Sequence, residues 1–278
     1  MVHHEVRGSG PVLLIAQSGE GDTARGAPLA RLLADRFTVV TYDRRGLSRS
    51  PADGKVDVRA HAEDVHHLLA SLTDEPAYVL GCSLGALIGL HLAQRHPDQV
   101  ATLVAHEPVA PWLLPPAERA HHVRELEGIQ HTYRTAGLSA AVVEIAAALG
   151  IDPVGQETEP DVARHPMTPG RAANFAFFLT HDLTAIREDD LVLDTAARIV
   201  PAVGATTPRT AFDVRCAREL GRRVGVDPVV FPGGHNGDLT HPRGYAARLV
   251  DVLTAPDRPR PPSAAPALPP PPTPHPAR

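Results

Sequence analysis

The stretch that decides the fold is Ala77–Leu87, which reads AYVLGCSLGAL. An apolar run typical of a buried strand enters a Gly-x-Ser-x-Gly pentapeptide, and a helical pattern leaves it. A serine in such a sharp strand-to-helix turn has a strained backbone and an exposed hydroxyl, and Gly81 and Gly85 let the strand and the helix approach closely. The turn also aims the amide of Leu84 at the position where an oxyanion would form. Ser83 is therefore a candidate nucleophile.

Strand and helix patterns alternate along the chain on both sides of this turn. Continuous apolar runs predict buried strands, and apolar residues near 3.6-residue spacing predict helices. Besides the run that enters the turn, the predicted strands are Glu5–Arg7, Val12–Ala16, Phe37–Tyr42, Val100–Ala105, Ile199–Val203 and Pro228–Phe231. The helices that alternate with them are Ala27–Asp35, Val58–Leu72, Leu84–His96, Thr210–Arg222 and Pro242–Leu253. This alternation predicts an α/β fold with a doubly wound, mostly parallel sheet.

The alternation stops in the middle of the chain. Residues 108–197 have helical patterns and no strand pattern, which predicts an inserted helical lid over the carboxyl edge of the sheet. We therefore expect residues 1–107 to form the first part of the core and residues 198–254 the second part. Residues 255–278 contain 11 of the 29 prolines, and we expect this tail to be disordered.

Composition narrows the classes of partner. With 43% apolar residues the chain can bury a large core, and a net charge of −5 gives no reason to expect nucleic acid. No apolar run approaches the length of a membrane span, and the first residues lack the apolar core of a signal peptide. The two cysteines lie in different contexts, so we expect no structural disulfide and a cytoplasmic location. The expected partner is a small-molecule substrate.

A nucleophilic serine needs a general base, and position favours one of the sixteen histidines. His235 lies in the Gly-rich loop Phe231–Gly237, just past the last predicted strand. In a doubly wound sheet this loop opens on the same carboxyl edge as the serine turn. His235 is therefore the candidate base, and the other interpretation is an ordinary loop histidine. No HExxH or related spacing occurs, so we expect no metal and no cofactor.

Taken in order, these motifs make the chain similar to the α/β-hydrolase superfamily over about residues 5–254. The resemblance rests on Val12–Gly21, Tyr42–Ser50, Gly81–Gly85 and His235. It implies the α/β-hydrolase fold, with Ser83 as nucleophile and His235 as general base. The Asp-x-Arg-Gly-x-Gly-x-Ser loop of the family is present here with Ser48 at its second glycine.

The loop that follows the strand Val12–Ala16 departs from the family pattern. The family usually has His-Gly there, and this chain has Gln-Ser-Gly-Glu-Gly at residues 17–21. The resemblance implies that the oxyanion hole consists of the amides of Gly19 and Leu84. The other interpretation of the loop is a plain turn.

The family's catalytic triad contains an acid besides the nucleophile and the base, and in this chain that acid is displaced from its usual place. The family usually has it in the loop Gly204–Pro208, which contains no carboxylate here, and Asp213 is expected on a helix and facing away. Some members instead have the acid after the strand that follows the nucleophile helix, where this chain has Glu107. Glu107 is either the triad acid or a residue that caps or anchors the first helix of the insertion. Asp43 is a less favoured substitute, because its loop normally organises structure.

The sequence thus predicts a serine hydrolase that cleaves an ester, thioester, lactone or amide of a small apolar substrate through an acyl-enzyme. The same groups also support acyl transfer, perhydrolysis or lyase chemistry. Apolar side chains of the insertion are candidates either for pocket walls or for ordinary packing: Trp112, Leu113, Leu114, Phe175, Phe177 and Phe178. The alternative function is a weak or inactive protein of the α/β-hydrolase fold that binds a small ligand.

Overall fold

A seven-stranded sheet forms the centre of the molecule. The computed structural model describes residues 1–152, 155–163 and 165–255. The strands are β1 (His4–Arg7), β2 (Val12–Ala16), β3 (Thr38–Tyr42), β4 (Ala77–Cys82), β5 (Val100–His106), β6 (Ile199–Gly204) and β7 (Val229–Phe231). Their spatial order is β1-β3-β2-β4-β5-β6-β7, and only the edge strand β1 pairs antiparallel to its neighbour. The predicted mostly parallel α/β sheet is confirmed.

Helices cover the sheet and fill the insertion. They are α1 (Thr23–Leu33), α2 (Val58–Ala70), α3 (Leu84–Arg95), α4 (Pro116–Ala136), α5 (Leu138–Ala148), α6 (Pro169–Phe177), α7 (Leu183–Glu188), α8 (Phe212–Val224), α9 (Gly237–Thr240) and α10 (Pro242–Thr254). Helix α1 begins four residues before the predicted Ala27. The reason is the cap: the side chain of Asp22 accepts a hydrogen bond from the amide of Arg25 at 3.1 Å.

The core has two layers, one on each face of the sheet. Strand β2 shows the division, because Leu14 and Ala16 belong to the cluster that includes α2, α3 and α8, whereas Leu13 and Ile15 belong to the cluster that includes α1 and α10. Fully burying each leucine contributes roughly 1.5–3 kcal/mol. Helix α3 is buried along Leu84–Ala93, which makes it a firm support for the serine turn that precedes it.

The order of the strands places a crevice beside the serine turn. From β2 the chain moves outward to β3 and then returns to β4 on the other side of β2. In an open α/β sheet the loops that follow two such strands diverge at the carboxyl edge and leave a binding crevice. The loop after β2 and the serine turn after β4 therefore meet at the same place.

The insertion packs on the core between β5 and β6. Its helices are α4 to α7, with a π-helical segment at Phe178–Asp182 between α6 and α7. Side chains such as Leu126, Ile129 and Ile186 are buried in the same cluster as α3. Among the described residues of the chain, no helix is both long enough and apolar enough to span a membrane. The predicted Pro-rich tail lies outside the described residues except for Ala255.

Candidate active site

Ser83 occupies a strained turn at the end of the central strand β4. Its φ of 57° and ψ of −115° lie in a region that non-glycine residues rarely adopt. A Cβ at Gly81 would lie 2.5 Å from the Cα of Ala86, and a Cβ at Gly85 would collide with the carbonyl oxygen of Ala16. Both glycines are therefore required by close backbone approach, as the sequence indicates. Ser83 lies at the carboxyl edge of the sheet, where the candidate base also lies.

Glu107 and His235 are brought together at this edge. Glu107 directly follows β5, with a φ of 45°, and its Oε2 lies 2.8 Å from Nδ1 of His235. Its Oε1 accepts the backbone N–H of Gly204 at 2.8 Å. Both side chains are buried. Helix α4 has Pro115 at its N-cap and no side-chain cap, so Glu107 does not cap the first long helix of the insertion.

Asp213 is a third member of this cluster, and the expectation that it faces away is wrong. Its Oδ2 lies 2.6 Å from Nδ1 of His235, and its side chain is fully buried. The sequence contained the signal, because Asp213 shares the i, i+4, i+7 face of α8 with the buried Ala217 and Leu220. An aspartate on an apolar face points into the core.

The two carboxylates contact the imidazole differently. Nδ1 carries one proton, and only Glu107 Oε2 meets the angular requirement for accepting it. Asp213 Oδ2 is buried and has no aligned hydrogen-bond donor among the described residues, whereas its Oδ1 accepts the N–H of Val214 at 2.9 Å. Glu107 is therefore the hydrogen-bond partner of His235, and Asp213 is a close second carboxyl.

Burial and charge separate the pKa values of the three groups. Burial alone would raise the pKa of Glu107, but the hydrogen bond from His235 and two neighbouring imidazoles bring it below its ordinary value. Burial and then the negative charge of Glu107 raise the pKa of Asp213. Burial would lower the pKa of His235, but the two carboxyl groups raise it above its ordinary value. The site thus stabilises, beside an ionised Glu107, the imidazolium that forms when His235 takes a proton.

The same three residues are the one group in the described part of the chain with geometry suited to a metal ion. Each offers a ligand atom, and these atoms lie within 4.8 Å of one another. One imidazole nitrogen and two carboxylate oxygens form a donor set that divalent metals accept. Metal binding would require Nδ1 to lose its proton, and in this structure Nδ1 instead faces Glu107 at hydrogen-bond distance.

The loop after β2 contains the candidate oxyanion residue Gly19. The guanidinium of Arg44 donates hydrogen bonds to the carbonyl oxygens of Ser18, at 3.4 Å, and Gly19. The chain has no cis peptide bonds among the described residues, so the amide N–H of Gly19 points away from the carbonyl of Ser18 and hence from Arg44. Leu84 is the first residue of α3, and its N–H is one of the four without an intrahelical partner.

Phe178 covers this loop. A Cβ on Gly19 would lie 2.5 Å from the ring of Phe178, so only glycine fits here without movement of the ring. Of the other candidate wall residues, Phe177 lies against Gly46 and pairs with His181 at a centroid distance of 4.6 Å. The remaining four are buried in the core cluster: Trp112, Leu113, Leu114 and Phe175. Phe178 belongs to the same cluster and also lies against Gly19.

The loop after β3 organises structure. Asp43 accepts hydrogen bonds from the amide of Thr23 at 2.9 Å and from Arg49 Nε at 2.8 Å, so both of its oxygens are engaged away from His235. Ser48 has a φ of 48°, which explains why the family pattern has glycine at this position. Its hydroxyl donates to Asp22 at 2.7 Å.

The loop that carries His235 is fixed from two sides. The end of β6 approaches it so closely that a Cβ on Gly204 would lie 2.6 Å from backbone atoms of Gly234. On the other side the buried Arg25 lies 3.3 Å from Oδ1 of Asn236 and 3.5 Å from Oδ1 of Asp238. No local sequence pattern indicates this role of Arg25, since its partners are more than 200 residues away along the chain.

Comparison with known proteins agrees with this architecture. Residues 11–129 match the family model described as alpha/beta hydrolase fold. The chain is 33% identical over 263 residues to the uncharacterized hydrolase YraK of Bacillus subtilis (strain 168), covering 91% of this chain and 92% of that protein. It is 29% identical to the putative carbamate hydrolase RutD of Caulobacter vibrioides (strain NA1000 / CB15N), covering 91% of this chain and 95% of that protein.

A solved structure shares the fold over nearly the whole chain. The enol-lactonase from Burkholderia xenovorans LB400 superimposes with a TM-score of 0.64 at 20% identity, covering 91% of this chain and 96% of that one. The fold, the serine turn at the central strand and the relative that matches over most of both chains all agree. The chain belongs to the α/β-hydrolase superfamily and is a hydrolase of that fold.

Proposed function

We propose that the protein is a serine hydrolase that cleaves an ester, thioester, lactone or amide of a small apolar substrate through an acyl-enzyme. The observation that carries the proposal is the buried contact of 2.8 Å between Glu107 and Nδ1 of His235, on the sheet edge that also bears the strained Ser83. A hydrogen bond to a carboxylate fixes the imidazole tautomer, which leaves Nε2 free to accept a proton.

In the first step Ser83 Oγ attacks the carbonyl carbon, and His235 Nε2 takes the hydroxyl proton. Glu107 stabilises the imidazolium that forms, a role worth about four orders of magnitude in turnover. The amides of Gly19 and Leu84 hold the negative oxygen of the tetrahedral intermediate, and one such donor is worth about 10²–10³ in rate. The imidazolium then gives its proton to the leaving group, and the serine remains acylated.

In the second step water hydrolyses the acyl-enzyme. His235 takes a proton from the water, and the resulting hydroxide attacks the acyl carbon. Collapse of the second intermediate returns the proton to Ser83 and releases the acid. The strained backbone of Ser83 supports this role, because strain of this kind occurs mainly at active sites, where the surrounding structure holds the backbone in place.

The relatives support a carbonyl substrate of modest size. RutD is named as a putative carbamate hydrolase, and the solved structure is named as an enol-lactonase. Both names describe an acyl group bonded to a heteroatom that can leave. Phe178 against Gly19 leaves little room on that side of the proposed oxyanion hole, which supports a small acyl group.

Labelling with an active-site-directed fluorophosphonate tests the proposal. We expect one adduct at Ser83 in the intact protein, no adduct in Ser83→Ala and a much slower reaction in His235→Ala. The exposed Ser9 and His121 supply matched controls, since Ser9→Ala and His121→Ala should label like the parent protein. Pretreatment with EDTA should change nothing, because no proposed step uses a metal.

The contrary outcomes are specific. If folded protein does not label, the chain is a weak or inactive binder of a small ligand. If EDTA abolishes the reaction and zinc restores it, the cluster of Glu107, Asp213 and His235 binds a metal and the proposed mechanism is wrong.

A further inference from the structure

Two carboxyl groups meet one imidazole nitrogen in the candidate active site, although a triad needs one. Glu107 Oε2 and Asp213 Oδ2 lie 2.8 Å and 2.6 Å from Nδ1 of His235. The two carboxyl groups come from different elements, the end of β5 and the first turn of α8. Glu107 accepts the Nδ1 proton, and Asp213 Oδ2 has no aligned donor among the described residues.

Electrostatic repulsion between Glu107 and Asp213 requires one of the two carboxyl groups to keep its proton. Both carboxyl groups are fully buried, and two adjacent anions away from water repel each other strongly. Among the described residues, the titratable groups that interact with the pair are His235, His106 on β5, Cys216 on α8, Cys82 on β4 and Tyr245 on α10. Burial lowers the pKa of His106 and raises the pKa values of both thiols and of the tyrosine hydroxyl, so none of these groups supplies a compensating charge at neutral pH. Even as an imidazolium, His235 balances only one carboxylate, and the second carboxyl group therefore stays protonated.

Asp213 is well placed to become the anion when Glu107 is not. It lies in the first turn of α8, where the positive end of the helix dipole favours a negative charge. Its Oδ1 accepts the backbone N–H of Val214 at 2.9 Å, which holds Oδ2 beside the imidazole. At 2.6 Å from Nδ1, Oδ2 is within hydrogen-bond reach of the Nδ1–H.

We propose that Asp213 is a positioning residue for His235: it shares one proton with Glu107 and takes over the Nδ1–H when Glu107 cannot accept it. This inference rests on the proposed function, in which His235 is the general base. In the takeover the shared proton passes from Asp213 to Glu107, and Asp213 becomes the carboxylate that holds the ring. In a variant that lacks the Glu107 carboxyl group, Asp213 releases this proton to solvent instead. No group is oxidised or reduced, and the net charge around His235 is unchanged.

The first test is a double-mutant cycle in ester turnover. We expect Glu107→Gln to lower kcat/KM by about 30-fold and Asp213→Asn by about 5-fold, while the double variant loses about 10⁴-fold because no acid remains. The double loss then exceeds the product of the single losses. Glu75→Gln and Asp74→Asn, at exposed sites, are the matched controls. Glu107→Asp, which keeps an acid, should lose less than Glu107→Gln.

The second test does not depend on activity. With isotope-labelled histidine, the NMR titration of His235 is assigned by its loss in His235→Gln. We expect a pKa above the ordinary histidine value in the parent protein and in each single variant, and a fall below that value only in the double variant. A purely structural Asp213 would not produce this pattern.

Each outcome decides between the two proposals. If Glu107→Gln alone lowers the pKa of His235 as far as the double variant does, Asp213 does not replace Glu107 as the acceptor of the Nδ1–H. If the NMR pattern holds but no variant or parent protein turns over an ester, the proton-sharing pair is supported and the proposed hydrolysis is not. Circular dichroism identifies a variant that fails to fold; if the double variant fails, Glu107→Gln paired with Asp213→Ser replaces it in the titration, because it also removes both carboxyl groups.

Discussion

Arg44 and Asp182 form a buried ion pair that ties the helical insertion to the candidate oxyanion loop. Arg44 Nη2 lies 2.6 Å from Oδ2 of Asp182, and His61 Nε2 lies 2.9 Å from the other carboxylate oxygen. The side chains of all three residues are buried. Because the same guanidinium donates to the carbonyls of Ser18 and Gly19, the insertion and the loop depend on one charge network.

Removing Asp182 should destabilise the protein strongly. Asp182→Ala leaves the guanidinium of Arg44 buried without its counter-charge, and breaking a buried pair in this way costs about 3–5 kcal/mol. Urea unfolding measures the change in free energy. Asp74→Ala, at an exposed site, should change it by less than about 0.5 kcal/mol. A cost near that of the control would show that the pair contributes no net stability.

This contribution should depend on pH with a definite sign. Burial would raise the pKa of Asp182, but Arg44 and the hydrogen bond from His61 lower it below the ordinary value. Stability from a lowered carboxyl pKa is present above the unfolded value, about 3.9, and is lost as the pH falls through the folded value. The unfolding free energies of parent and Asp182→Asn should therefore differ more at pH 7 than at pH 3. An equal difference at both pH values would contradict this.

Two glycine substitutions should act in opposite directions. Gly19→Ala forces the new methyl group against the ring of Phe178, and such overpacking costs about 1–3 kcal/mol. Gly128, inside α4, has no atom within 4 Å of an added Cβ, so Gly128→Ala should stabilise by about 0.5–1 kcal/mol. Thermal unfolding of both variants measures the two changes in stability. Combining Gly19→Ala with Phe178→Ala should remove the overpacking, and if it does not, the clash is elsewhere.

Phe178 should limit the size of the acyl group. Its ring covers Gly19, and Phe178→Ala removes that cover from the proposed oxyanion side. We expect the ratio of kcat/KM for p-nitrophenyl octanoate to that for p-nitrophenyl acetate to rise by about tenfold or more, the effect of one or two methylene groups gaining an apolar site. Phe177→Ala is the matched control, because Phe177 lies against Gly46 instead. An unchanged ratio would place the acyl group elsewhere.

Both cysteines should be unreactive in the folded protein. Cys82 and Cys216 are free and buried, and burial raises the pKa of each thiol above its ordinary value. Alkylation by iodoacetamide, followed by mass spectrometry, should modify neither residue in native buffer and both in urea. Rapid native modification of Cys82 would mean that the serine turn opens in solution.

The sequence predicted most of the fold because its signals are local. Apolar runs give the six strands β2 to β7, and the glycines at 81 and 85 give the turn, since each depends on neighbours a few residues away. The start of α1 was missed because the cap at Asp22 outweighs Pro28 inside the helix. The orientation of Asp213 differs from the expectation because Asp213 shares the apolar face of α8 with Ala217 and Leu220.

The sequence by itself determined the α/β sheet, the position of Ser83 at the end of its central strand, and Glu107 and His235 as candidate partners. Only the tertiary structure decided that Asp213 joins them and that Arg44 links the insertion to Gly19. Local patterns fix strands, helices and tight turns, because they depend on sterics and on burial along one element. Which charged groups share a buried site depends on strands and loops that are about 20 to 140 residues apart in the sequence, and packing alone brings those together.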